Sequence, residues 1–85
     1  MKHWIESIRR KRQEKKNQIF INSVFEKHKD DDTYRNLRFL HFPIREQWRC
    51  SCEPHGHGGK VLAFGSTPLE AYEKMQAKMF SLFHK

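Results

Sequence analysis

Two groups of residues in this chain have types and spacings that could do chemistry. The first is a basic run, Arg9-Arg10-Lys11-Arg12-Gln13-Glu14-Lys15-Lys16. Its six cations can neutralise phosphates, and its arginines can make bidentate contacts to base edges or carboxylates. The second is Cys50-x-Cys52-x-x-His55-x-His57, four soft or borderline metal ligands within eight residues. Zinc would hold such a set in a tetrahedron. The spacing departs from the usual knuckle, which has two residues between its first cysteines. The alternation of the surrounding strand also puts both cysteines on one face with Trp48, where small buried cysteines are ordinary core residues. Core cysteines beside a solvated histidine loop are therefore the favoured reading, with no cofactor and with zinc as the alternative.

No other constellation suggests catalysis. Phosphate loops and paired-carboxylate motifs are missing. Ser66 and Thr67 are better explained as a helix cap than as nucleophiles. Cys50 lacks an evident base unless His41, on a neighbouring strand, approaches it. The sequence reads as that of a non-enzyme.

Composition narrows the partners. The 85 residues carry a formal net charge of +7 and are 13% aromatic and 32% charged. That is one small domain with enough aromatic residues for a core. The charge is uneven. Residues 1–29 hold nine Lys/Arg against three acids, while residues 30–60 balance. A positive field confined to one segment calls for nucleic acid or an acidic protein surface. Residues 1–8 lack the apolar run of a secretory leader, and no stretch has the length of a membrane span. Cysteines one residue apart on a strand sit about 6.5–7 Å apart at Cα, at or beyond the reach of a disulfide. A reducing cytoplasm is the expected setting.

The elements that position these groups follow from patterning. Residues 3–29 predict a helix. Trp4, Ile5 and Ile8 form one apolar cluster; Ile19, Phe20, Ile21, Val24 and Phe25 form another. The stretch between has no apolar residue, so residues 1–18 are expected to be a basic arm or an exposed half-helix. Residues 19–85 form the body. Trp4 lies beyond the basic run and is the candidate anchor for a protein partner or a second copy of the chain. Asp30-Asp31-Asp32 predicts a solvated break that could accept charge from the basic run.

Leu37–Phe42 predicts a first strand, with apolar residues on both faces as in a central strand. Glu46–Glu53 alternates cleanly: Trp48, Cys50 and Cys52 on one side, Gln47, Arg49 and Ser51 on the other. Pro54–Gly59 predicts a glycine-rich hairpin tip, and Lys60–Gly65 a third strand. Thr67 is then the natural N-cap, Pro68 the first helical position and Glu70 the partner in a capping box. Leu69, Tyr72, Met75 or Gln76, Met79, Phe80 and Phe83 mark one helical face. The expected fold class is α+β: helix, three-stranded antiparallel sheet, helix, with a basic N-terminal helical extension.

The run Gly59–Tyr72, with Trp48 on the facing strand, resembles the strand–hairpin–strand–helix unit of HicB-like antitoxins and related small proteins of phages and mobile elements. Gly65, Thr67, Glu70 and Ala71 match their G-x-T-x-x-E-A turn. The same unit resembles the second half of double-stranded-RNA-binding domains. Those carry a lysine-rich start on the last helix, where this chain has Pro68, Leu69 and Glu70. Arg9 to Lys16 is similar to the arginine-rich RNA-binding helices of phage antitermination proteins. The resemblance implies a small nucleic-acid-binding protein acting through Arg9, Arg10, Lys11, Arg12, Lys15 and Lys16. The other reading is an inhibitor or adaptor that blocks a host nuclease or nucleic-acid-processing complex.

Overall fold

The computed structural model describes residues 2–56 and 58–83, with side chains for residues 11–56 and 58–82. The order is α1 (Lys2–His28), β1 (Arg38–Phe42), β2 (Gln47–Cys52), β3 (Val61–Gly65) and α2 (Pro68–Phe83), with a short 3-10 turn at Asp32–Tyr34 before β1. This is an α+β fold. The sheet is antiparallel in the order β1-β2-β3. No helix among the described residues is long and apolar enough to cross a membrane.

β2 is the middle strand because its neighbours reach it through short connections. Cys50 pairs with Phe39 on one side and Ala63 on the other. β1 is therefore an edge strand, not the central one that its two-faced apolar pattern suggests. Its apolar residues divide instead between the covered and open faces of the sheet.

Both helices lie on the face that carries Phe39, Cys50, Cys52, Val61 and Ala63. The core joins these to Val24 of α1 and to Ala71, Tyr72, Met75 and Met79 of α2. The buried stripe of α2 is Ala71, Tyr72, Met75 and Met79. Leu69 and Phe80, expected on that stripe, are 48% and 64% exposed. The difference arises because α2 crosses a sheet of five- and six-residue strands, too narrow to cover the wider arc.

α2 starts where Thr67 Oγ1 accepts the Glu70 amide at 3.1 Å, while the Thr67 carbonyl takes the first helical bond from Ala71. The expected capping box closes on a different partner. The Glu70 carboxylate accepts from the Ser66 hydroxyl at 2.8 Å and pairs with Lys74 at 3.0 Å. Gly65 makes this corner possible. A Cβ there would lie 2.6 Å from the Ala71 amide nitrogen, so only glycine lets β3 and α2 approach so closely.

The β2–β3 loop is fixed at its base. The amides of Glu53 and His55 donate to the carbonyls of Arg35 and Asp32. Gly56 and Gly58 take positive φ values at the tip.

Candidate functional site

α1 is one continuous helix through the basic run, about 40 Å long at 1.5 Å per residue. Ile21, Val24 and His28 are buried along one of its sides, and Phe20 packs there against the core. Lys11, Arg12, Lys15 and Lys16 are all exposed. At about 100° per residue they occupy roughly 140° of arc on the side away from the core. These four form a band because docking of Phe20, Ile21 and Val24 fixes which side of the helix faces out.

None of the four forms an ion pair among the described residues. Asp30, Asp31 and Asp32 do not compensate them. They follow the far end of α1, about 18 Å along the axis from Lys16 and more than two screening lengths away at physiological salt. Asp31 serves locally, accepting the Thr33 amide at 2.9 Å. Trp4, Arg9 and Arg10 lie on the backbone of the same helix, but their side chains fall outside the described residues.

On the inner side of α1 a cleft of about 640 Å³ opens toward the β1–β2 end of the sheet. Gln13, Glu14 and Asn17 line it from the helix; His41, Glu46 and Trp48 line it from the sheet. The His41 and Trp48 rings stack with centroids 4.4 Å apart. Lys11, Arg12, Lys15 and Lys16 do not line this cleft, and two carboxylates do. It does not extend the basic band.

The cysteines belong to the core. Cys50 and Cys52 are fully buried, with their thiols 3.5 Å from the thioethers of Met75 and Met79. Burial pushes the Cys50 thiol up to about 12, with Cys52 beside it adding to the effect. Burial likewise pushes Cys52 up to about 11, helped by Glu53. Thiolates, the form that ligates metal or attacks carbon, are strongly disfavoured there. His55 is exposed on the loop, and His57 lies outside the described residues. His41 stacks on Trp48, while the cross-strand partner of Cys50 is Phe39. Among the described residues no three His, Cys, Asp or Glu side chains converge as a metal site.

One further surface carries no motif that marks it in the sequence. Opposite the helices, the sheet presents Leu40, Arg49 and Phe64 side by side across its three strands. Phe42 adjoins them, its ring 6.2 Å from that of Phe64 and 5.8 Å from the Arg49 guanidinium carbon. Leu40 and Phe64 are 44% and 40% exposed, and Ile44 in the adjoining turn is 99% exposed. Arg49 Nε is shut off from solvent and has no hydrogen-bond partner among the described residues. The signal was available in the sequence: Leu40 and Phe42, like Leu62 and Phe64, alternate with residues of the core face. No protein-family model, curated protein or solved structure matches the chain.

Proposed function

We propose that this chain is a small non-enzymatic nucleic-acid-binding protein that grips phosphates with the outward face of α1. The observation that carries this reading is the band of Lys11, Arg12, Lys15 and Lys16, exposed on the solvent side of the helix with no acid paired to it among the described residues. Uncompensated cations at helical spacing release counterions when they meet a phosphate backbone, which supplies affinity. Arg9 and Arg10 continue the run by sequence. The HicB-like turn supports a phage or mobile-element type, and two free thiols suit a reducing cytoplasm.

The test is a salt titration of binding to duplex DNA, double-stranded RNA and single-stranded RNA with unlabelled competitor. Tight binding to one class that persists at about 150 mM salt is expected. Weak binding to all three that vanishes there would overturn the reading and leave α1 as a basic surface only. The second reading is an inhibitor or adaptor that meets an acidic protein. The open sheet face favours it, because Arg49 stands there between Leu40 and Phe64 with no acid paired to it among the described residues.

A further inference from the structure

We propose that the helix-free face of the sheet is a protein-docking surface, and that it takes a partner segment in which a carboxylate is flanked by apolar side chains. Arg49 is the anchor. It sits on the middle strand, directly between Leu40 of β1 and Phe64 of β3. Its guanidinium lies over the Phe42 ring, and no described residue offers it an ion pair or hydrogen bond. A guanidinium held against aromatic and aliphatic carbon, with one N–H already closed off and unsatisfied, is an incomplete site. A planar carboxylate arriving from solvent fits its fork and is held in a low-dielectric surround.

The rest of the face supports a protein occupant. Leu40, Phe64 and Ile44 leave apolar surface exposed around the arginine. Arginine with aromatic neighbours is the composition that dominates protein interfaces. Single-stranded nucleic acid fits less well. One face of Phe42 is taken by Arg49 and its ring also meets Phe64, so the exposed Phe64 has no second free ring beside it on which a successive base could stack. A two-fold contact with a second copy would bring Arg49 toward its own image and desolvate two like charges. The surface is independent of the basic band, which faces outward from α1 on the other side of the sheet. With both in use, the chain would join a polyanion on its helical layer to an acidic, apolar partner on its sheet layer.

The experiment selects a displayed random peptide library on the full chain, then measures synthetic copies of the enriched peptides. Enriched peptides are expected to place Asp or Glu beside Leu, Ile or Phe. Replacing that acid by its amide, or Arg49→Gln, should weaken binding by about tenfold or more. Lys15→Gln with Lys16→Gln should leave peptide binding unchanged. Leu40→Ser, at an exposed edge position, provides a second test if Arg49→Gln does not fold, and should also weaken binding. No enrichment, enrichment without an acid, or equal binding to both variants would overturn the proposal. So would a self-association or an oligonucleotide footprint on this face that Arg49→Gln abolishes. Peptide binding by the unaltered chain without any binding to nucleic acid would count against the basic band alone.

Discussion

His28 Nε2 lies 2.7 Å from the Tyr72 hydroxyl, which joins the last turn of α1 to the second turn of α2. The Tyr72 hydroxyl also accepts from Gln76 Nε2 at 2.8 Å, and the same amide donates to the Tyr34 hydroxyl at 3.2 Å. The His28 ring stacks on Tyr34 with centroids 3.6 Å apart. These four residues tie both helices to the turn that precedes the sheet. They also fix the rotation of α1, and so determine which way the basic band faces.

Acid should loosen this joint. Burial holds the His28 pKa below its ordinary 6.5, and Lys27 lowers it further; the nearby Asp31 opposes them but does not win. The unfolded chain therefore takes up a proton at about 6.5 that the folded chain still refuses. The stability from a neutral His28 is complete above that pH. It falls as pH drops below 6.5 toward the lowered folded value. Urea unfolding between pH 7.5 and 5.5 should show the midpoint falling. In His28→Gln that dependence should flatten. An unchanged slope in the variant would show that His28 does not titrate this way.

Gly65→Ala should cost stability out of proportion to one methyl. The new Cβ would meet the Ala71 nitrogen at 2.6 Å and the Glu70 Cβ at 2.8 Å, both in the first turn of α2. Relief requires α2 to shift away from β3, with a cost of about 1–3 kcal/mol. Chemical denaturation followed by circular dichroism measures it. A loss below about 0.5 kcal/mol would mean that the corner is not tightly packed.

The two cysteines should label slowly in the native state. With their thiols raised to about 12 and 11 and packed on Met75 and Met79, alkylation at pH 7.5 should run roughly a hundredfold or more slower than in denaturant. Protein purified without a histidine tag should carry no stoichiometric zinc. One zinc per chain, lost on Cys50→Ser, would show that the thiols can turn out of the core.

Charge removal on α1 should separate binding from folding. Lys15→Gln and Lys16→Gln lie on the exposed band, so the urea midpoint should stay within the range of about 0.5 kcal/mol expected for surface changes. The salt dependence of duplex binding should become shallower by about 0.9 in log–log slope for each lysine that contacts a phosphate. An unchanged slope would place the phosphates elsewhere.

Thr67→Ala removes the oxygen that accepts the Glu70 amide, and should cost about 1 kcal/mol. Thr67→Ser should recover most of it, because serine keeps the oxygen. Equal losses in the two variants would mean that the methyl, not the cap, is what matters.

Local signals sufficed for the elements themselves. Alternation in residues 46–53 set β2, Thr67-Pro68 set the start of α2, and the glycines of residues 56–59 set the loop. Each depends on neighbours a few residues apart. The arrangement of those elements depends on contacts across the chain, which a sequence pattern does not encode. Only packing placed β1 at the edge, both helices on one face and the cysteine thiols against Met75 and Met79. It also turned Lys11, Arg12, Lys15 and Lys16 outward, because Phe20, Ile21 and Val24 had to face in. The same choice left Leu40, Phe42, Arg49 and Phe64 uncovered. Two helices on one side of a three-stranded sheet bury one face and leave the other open, so a residue that alternation assigned to a polar side became the centre of an apolar surface.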